Sequence, residues 1–285
     1  MRKRKTNFET SLNENMVTYQ FYLDRLTELA ISMFEWKNLP PEIDERFLEL
    51  TLYTDGQAVF FKEDVADEYV TLQVTTNGRL NKYRVPINRR AYAINGYQRN
   101  LNIDNSVIIY NNRLRTPSIK YMTMYAMRLW DLDRTIDVNA RAQKTPVLLQ
   151  ANEQQRLTLL NLYKDYDGNS PVIFGDKNLD LNGIKCIQTG APYVADKLYQ
   201  LKTQIWNEAL TYLGIANVNI TKKERLITDE VQRNQGGTIA SRYSRLKSRQ
   251  AAAKKINEMF GLNISVDYSE DFQLIEPEKG GEENE

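Results

Sequence analysis

Apolar residues recur every three or four positions along the N-terminal part of the chain. A capping-box pair, Ser11 and Glu14, opens this stretch, and apolar side chains then follow one helix face as far as Met33. The pattern predicts one long helix. We expect the helix to continue until Pro40, because proline cannot be accommodated in a helix interior.

Two further stretches show the same helical period. Thr116, as an N-cap, and Pro117 precede one of them, and Pro192 precedes the other, which ends at Gly214. With the N-terminal helix they predict three long helices. Helices of similar length favour a bundle or a stack.

Between residues 50 and 112 the period changes to short apolar or alternating runs, which are typical of β-strands. The dipeptides Asp55-Gly56 and Asn77-Gly78 separate these runs, and such pairs favour tight hairpin turns. We therefore predict a small antiparallel β module in this region.

The C-terminal part begins with a capping box at Thr221, which predicts a helix that stops at the Gly236-Gly237 pair. We expect a final helix and a strand over residues 248–268. Residues 269–285 are acidic and poor in apolar side chains, which predicts a disordered tail.

Composition excludes several classes of chemistry. Lys and Arg total 38 against 37 Asp and Glu, so a protein that coats nucleic acid through overall basic charge is not expected. The chain has no histidine and a single cysteine, Cys186, which lies in an apolar run and is expected to be a buried hydrophobe. Disulfides, zinc sites and imidazole catalysis are therefore excluded.

The sequence also contains no phosphate-binding glycine fingerprint and no apolar run long enough to span a membrane. The N-terminus lacks the apolar region of a signal peptide. We therefore expect a soluble protein, folded in a reducing cytoplasm, that hydrolyses no nucleotide itself and has no cofactor and no bound metal.

Two aspartate pairs keep a metal-dependent alternative open. Asp131 and Asp133 fall in a predicted helix, where side chains two residues apart diverge by about 200°. Asp165 and Asp167 precede a Gly-Asn pair that favours a turn. A Mg²⁺-dependent nuclease is therefore the less favoured of the alternatives.

A locally basic segment, residues 232–255, holds seven Lys or Arg and no Asp or Glu. On a helix, Arg242, Arg245 and Arg249 would share one face. Two interpretations of that face are open. The guanidinium groups contact phosphate, or they belong to a solvated helix end and pair with acidic neighbours.

The N-terminal arm is also basic, with Arg2, Lys3, Arg4 and Lys5 in succession. A mobile basic arm can bind nucleic acid or simply keep the terminus soluble, and the sequence allows both interpretations.

Long strings spread over nearly the whole chain resemble one family of proteins. They are FEWKNLPPEIDERFLE (34–49), VIIYNN (107–112), NARAQKTPVLLQAN (139–152), GNSPVIF (168–174), APYVADKL (191–198), KKERLITDEV (222–231) and KINEMFGLN (255–263). The family comprises the upper collar proteins, also called portal or head-tail connector proteins, of small short-tailed phages of the Picovirinae type.

The resemblance implies an α+β subunit in a ring of twelve copies at one capsid vertex. Long helices would surround a central channel, and an SH3-like antiparallel β wing would lie outside. Double-stranded DNA would pass through the channel during packaging and ejection. The implied protein is a non-enzymatic part of the virion, assembled in the host cytoplasm, that nucleates capsid assembly.

The implied partners are further copies of the chain, the major capsid protein, a scaffold protein, lower collar and tail proteins, and the packaging ATPase. A packaging RNA is a further candidate.

The resemblance divides the chain into a basic arm (1–15), a helical stem (16–49), a β wing (50–115), a long helix (116–145), a mixed α/β wing (146–190), channel-lining and clip-side helices (191–231), a channel loop (232–247), a final helix and strand (248–268) and an acidic tail (269–285).

The resemblance also implies candidate contacts with DNA, made to the backbone and without sequence preference. Those of the channel loop and the adjoining turn are Arg233, Arg242, Arg245, Lys247 and Arg249. Weaker candidates on the channel-lining helix are Lys197 and Lys202. Candidate contacts of the arm with nucleic acid or the packaging motor are Arg2, Lys3, Arg4 and Lys5.

A monomeric nucleic-acid-binding adaptor that uses residues 232–255 is the second alternative. It predicts monomers and a steep salt dependence of DNA binding, because each neutralised phosphate releases counterions. A ring that encloses DNA should instead bind it with little intrinsic affinity.

Overall fold

The computed structural model describes residues 7–143, 147–149, 184–186, 192–215 and 228–269, without the side chains of 7–15, 77, 142, 147–149, 184–186 and 228–236. The chain divides into two compact units. The first unit combines Met1–Trp130 with Thr203–Glu285, and the second unit is Asp131–Lys202.

The described elements combine helices and antiparallel strands, which confirms a mixed helix and sheet fold. In chain order they are α1 (Asn7–Ile31), β1 (Phe34–Lys37), α2 (Glu45–Asp55), β2 (Gln57–Lys62), β3 (Tyr69–Leu80), β4 (Pro86–Tyr92), β5 (Gln98–Asn102), β6 (Ser106–Tyr110), α3 (Ile119–Ala142), β7 (Val147–Leu149), β8 (Ile184–Cys186), α4 (Ala195–Leu213), α5 (Thr228–Phe260) and β9 (Ser265–Tyr268).

The N-terminal helix is shorter than the sequence predicts. It ends at Ile31, and the next residues form β1, in which Phe34 and Trp36 are buried while the residues that follow each of them are exposed. This alternation has the period of a strand rather than a helix. β1 pairs with β9, with Trp36 opposite Val266, so a strand near each end of the chain completes a two-stranded sheet.

Residues 45–55, part of which reads as a strand in the sequence, form helix α2. The side chain of Asp44 caps its start by accepting a hydrogen bond from the backbone N–H of Phe47. Gly56 caps its end with a left-handed φ of 81°. The prediction of a hairpin turn at Asp55-Gly56 is therefore wrong, because this glycine ends a helix.

The β module predicted between residues 50 and 112 is confirmed as a five-stranded antiparallel sheet of order β5-β4-β3-β2-β6. Asn77 and Gly78 do not form its turn but lie inside β3, beside a register irregularity that ends at Leu80. The turn follows at Asn81, whose side-chain oxygen accepts hydrogen bonds from the N–H groups of Tyr83 and Val85. Glycine here marks a bulge instead of a hairpin.

Helix α3 begins at Ile119, and Ser118 rather than Thr116 supplies the carbonyl that starts its hydrogen bonds. Thr116 instead donates its N–H to the side-chain oxygen of Asn112. Helix α4 ends as predicted, with Gly214 in the left-handed conformation at φ 90°. No helix in the described ranges is long and apolar enough to cross a membrane.

The second unit contains the last part of α3, the first part of α4 and the strand pair β7 and β8. The side chain of Asn139 joins its helices: it donates to the carbonyl of Pro192 and accepts from the N–H of Val194. Lys202 and Asp133 form an ion pair at 2.5 Å.

Candidate functional site

The segment 232–247, predicted to be a channel loop, lies inside helix α5, which runs from Thr228 to Phe260. The predicted break at Gly236-Gly237 is wrong. A Cβ atom on Gly237 would lie 3.3 Å from Cγ2 of Thr211 on α4. The glycine therefore permits a close approach of two helices, and the helix continues through it.

The arginine cluster, defined as Arg242, Arg245 and Arg249, faces the interior of the first unit. Their exposed fractions are 7%, 6% and 2%. Their charged groups are covered by protein in this structure, and their contact with DNA stays a prediction. Pairing with an acidic neighbour is observed for Arg249, in a buried position rather than at a solvated helix end.

Arg249 forms a bidentate ion pair with Glu49 of α2. Its Nε donates to Oε1 at 2.8 Å and its Nη2 donates to Oε2 at 2.6 Å. Glu49 is 1% exposed, and its Oε1 also accepts a hydrogen bond from Nε1 of Trp36 at 2.8 Å. A planar guanidinium matches a carboxylate in this fork geometry, so each buried charge has its counterion and its hydrogen bonds.

Two further contacts fix the Arg249 guanidinium. Its Nη1 donates to the carbonyl of Asn111 at 2.8 Å, and its Cζ lies 3.9 Å from the ring centroid of Phe34. Arg249 thus joins α5 to α2, to β1 and to the segment after β6.

Arg242 joins α5 to the end of α4 and to β9. Its Nε donates to the carbonyl of Gly214 at 2.6 Å, and its Cζ lies 4.5 Å from the ring centroid of Tyr268. The left-handed turn at Gly214 leaves no room for a side chain, since a Cβ there would lie 2.9 Å from Cγ of Arg242. Burial lowers the pKa of Arg242 from its usual value.

Arg245 lies between its two neighbours in the cluster, over the ring of Tyr212 at 4.8 Å. Burial is the main cause that lowers its pKa, the charge of Arg249 lowers it further, and Tyr212 acts in the opposite direction. Cation–π contacts of this kind compensate part of the lost hydration. The cluster therefore acts as an internal clamp that joins α5 to elements from both ends of the chain.

The other predicted contact residues are not gathered at this cluster. Lys197 is exposed on α4, and Lys202 on the same helix is paired with Asp133. Lys247 is exposed on α5 and donates to the side chain of Gln250. Arg2, Lys3, Arg4 and Lys5, and the side chain of Arg233, lie outside the described residues.

The candidate metal carboxylates show no shared site within the described part of the chain, where no group of three or more possible ligands occurs. Asp133 is held by Lys202, and Asp131 is exposed on the same helix. Asp165 and Asp167, and the side chain of Cys186, lie outside what the structure describes.

A second concentration of positive charge, which the sequence indicated only in part, lines a groove of about 610 Å³ between the β-sheet and α5. We call it the basic groove and define it by five cationic residues: Arg89, Arg113, Arg115, Lys247 and Lys255. Arg113, Arg115, Lys247 and Lys255 are exposed, and Arg89 is 4% exposed. Lys247 and Lys255 belong to the basic segment 232–255, whereas Arg89, Arg113 and Arg115 come from β4 and from the segment after β6, where no local charge run marks them.

Comparison with known proteins gives one family and a shared fold. A family model described as Phage Connector (GP10) matches residues 3–273. A chain in the solved structure of the portal and tail of native bacteriophage P68 is 15% identical, with 94% of this chain and 92% of that chain covered and a TM-score of 0.51.

Two other solved structures match with lower TM-scores, and we base no conclusion on them. An HK97-family phage portal protein from Corynebacterium diphtheriae is 10% identical, with 90% and 95% coverage and a TM-score of 0.41. A chain of the virion of a native gene transfer agent particle is 12% identical, with 88% and 79% coverage and a TM-score of 0.45.

Proposed function

The chain belongs to the phage connector family, and we propose on this basis that copies of it form the portal ring at one capsid vertex. The observation that carries the proposal is the family match over residues 3–273, which includes both described units. In this role the ring, expected to hold twelve copies, is the passage for double-stranded DNA during packaging and ejection and joins the head to the tail.

We assign the protein no reaction of its own. It works by forming a closed channel, by nucleating capsid assembly and by docking other virion components. The proposed partners are the major capsid protein, a scaffold protein, lower collar and tail proteins and the packaging ATPase, with a packaging RNA as a further candidate. We further propose that the five-stranded sheet is the outer wing of the subunit.

Exposed apolar side chains on two helices are the proposed surfaces between neighbouring copies. On α1, Met16, Val17 and Phe21 are 70%, 70% and 54% exposed, and on α3, Met124 and Met127 are 45% and 54% exposed. A closed ring joins two different patches of each copy, so both helices can contribute. Apolar surface of this kind marks contact sites between proteins.

Proposed contacts with DNA are limited to residues that protein groups do not cover. Lys197 is such a residue, and Arg233 and the N-terminal run Arg2 to Lys5 stay as candidates from the sequence. Lys202 could contact phosphate only in competition with Asp133. A few cations in each copy suit a channel through which DNA slides, because many fixed phosphate contacts would hold the DNA in place.

Negative-stain electron microscopy of the purified full-length protein, with light scattering to fix its mass, tests the proposal. We expect rings with a central hole. Met127→Glu should reduce the fraction of chains in rings, whereas Val65→Glu, at a 94% exposed position of the first unit, should not. A uniform monomer that binds duplex DNA with a steep salt dependence would instead support the adaptor.

A further inference from the structure

The basic groove contains a buried charge, that of Arg89, which has no carboxylate partner among the described residues. Nη1 of Arg89 donates to the carbonyl oxygen of Ser106 and, at 3.1 Å, to its hydroxyl, and Nε donates to the carbonyl of Pro86 at 3.4 Å. None of these acceptors carries a negative charge. Burying a charge without a counterion is costly, and the pKa of Arg89 is lowered mainly by this burial.

A buried polar atom lies in the same groove. The hydroxyl of Tyr110 is shielded from solvent and has no hydrogen-bond partner within the described residues. The guanidinium of Arg115 covers its ring, with Cζ 4.6 Å from the centroid. Buried hydroxyl groups without a partner are uncommon in folded proteins, and this one belongs to a residue that lines the groove.

The charge on the walls of the groove is strongly one-sided. The five cationic residues face one lining carboxylate, Glu258, which is already 3.9 Å from Lys254 outside the groove. Asp104 also acts on Arg89 through its charge. The lining includes Ile103 and Met259, which are 39% and 38% exposed. The groove therefore fits an extended acidic segment that also carries apolar side chains.

The chain itself supplies such a segment. Residues 270–285 read EDFQLIEPEKGGEENE, with seven Asp or Glu, one Lys and an apolar group at Phe272, Leu274 and Ile275. We propose that the basic groove is the docking site of this segment, residues 270–285 of the acidic tail, of the same chain. The acidic side chains would neutralise the groove, and the apolar side chains would cover Ile103 and Met259.

The length of the tail allows this contact. The described chain ends at Ser269, directly after Tyr268, whose ring lies over Arg242 on α5. The groove residues Lys247 to Met259 follow Arg242 on the same helix, at about 8 to 26 Å along its axis. The sixteen residues of the tail can span about 53 Å when extended.

Zero-length cross-linking of the full-length protein with a carbodiimide, read by mass spectrometry, tests the proposal. This reagent joins a lysine to a carboxylate only when they are in contact. We expect products that join the glutamates of the tail to Lys247 or Lys255. The ion pair Lys202–Asp133 provides an internal reference for the efficiency of the reaction.

Exposed lysines of α5 provide matched variants. Lys247→Gln and Lys255→Gln together remove the two lysine amines of the groove and should abolish these products. Lys254→Gln, next to the groove on the same helix and 78% exposed, should leave the products within about twofold of the wild type. Raising the salt to about 0.5 M should reduce the products, since exposed charges are screened.

Three results would overturn the proposal. The first is a tail that gives no groove product although the Lys202–Asp133 product forms. The second is found in protein prepared from a mixture of ¹⁵N-labelled and unlabelled chains. A cross-link that joins a labelled chain to an unlabelled chain would show that the tail comes from a neighbouring copy. The third is binding of single-stranded RNA or duplex DNA that the double lysine variant weakens, without any product of the tail. Ring formation is measured separately, so the outcome does not depend on the proposed function.

Discussion

Arg249 and Glu49, 200 residues apart in the chain, form a bidentate ion pair that is 2% and 1% exposed. The pair joins α5 to α2. It explains why one face of a basic helix carries three arginines although that face points away from solvent. Arginine provides several hydrogen bonds in fixed geometry, and in this protein they tie together elements that are distant in sequence.

Breaking this pair should be costly. Glu49→Gln leaves the guanidinium of Arg249 buried without a counterion, and we expect the free energy of unfolding to fall by about 3 to 5 kcal/mol. Urea denaturation followed by circular dichroism measures the change. Glu258→Gln, which removes a surface partner of Lys254, should cost less than about 1 kcal/mol. Equal effects of the two variants would show that the buried pair has no special role.

We expect the arginine cluster to stabilise the folded chain. Replacing Arg242, Arg245 and Arg249 together with Gln removes the clamp, so we expect unfolding at a clearly lower urea concentration. Replacing Lys247, Lys254 and Lys255 with Gln removes the same charge from exposed positions of α5 and should change stability by less than about 1 kcal/mol. An arginine variant as stable as the wild type would show that these contacts do not stabilise the fold.

Gly214 should not tolerate a side chain. Its φ is 90°, and a Cβ there would meet backbone N and Cγ of Arg242 at 2.9 Å. Gly214→Ala should therefore cost more than Gly96→Ala, where φ is 87° but no atom lies within 4 Å of the added Cβ. We expect Gly96→Ala to lower the free energy of unfolding by about 1 to 2 kcal/mol through backbone strain alone. Gly214→Ala should lower it further because of the clash with Arg242. Thermal unfolding of both variants checks this difference.

Alkaline pH should weaken the fold through Tyr268. Burial raises the pKa of its phenol from the usual 10.0, and the charges of Arg242, Arg249 and Arg245 act in the opposite direction. Because the pKa is higher in the folded state than in the unfolded state, the folded state holds the phenol proton more tightly. The contribution of Tyr268 to the free energy of unfolding is therefore complete below about pH 10 and is lost as the pH rises above it.

Tyr268→Phe isolates this effect. The hydroxyl of Tyr268 has no hydrogen-bond partner among the described residues, so its removal should cost little at pH 7. The variant should lose less stability than the wild type between pH 8 and about pH 11, measured by urea denaturation. Tyr243→Phe, at an exposed position on α5, is the control and should follow the wild-type profile. A Tyr268→Phe profile that coincides with the wild type would exclude Tyr268 as the cause.

Much of the fold could be predicted from periodicity. The long helix α3, helix α4 up to Gly214, the antiparallel β module and the last strand all follow from local spacing of apolar residues. Errors occur where one residue type serves two structures. Gly56 caps a helix instead of forming a hairpin. Phe34 and Trp36 lie in the range predicted to be helical but belong to a strand, because β9 is present to pair with them.

The candidate site could not be predicted in the same way. The sequence by itself determined that α5 carries a cationic face, that chemistry based on histidine is absent and, through long matched strings, that the chain resembles phage connectors. Only the tertiary structure decided where each charge lies. It turned Arg242, Arg245 and Arg249 inward and brought Arg89, Arg113 and Lys255 to one groove. The physical reason is that the helix period fixes which residues share a face, whereas the burial of that face depends on contacts with Glu49, Phe34 and Tyr268. These residues belong to other elements, so no local pattern in α5 indicates the contacts.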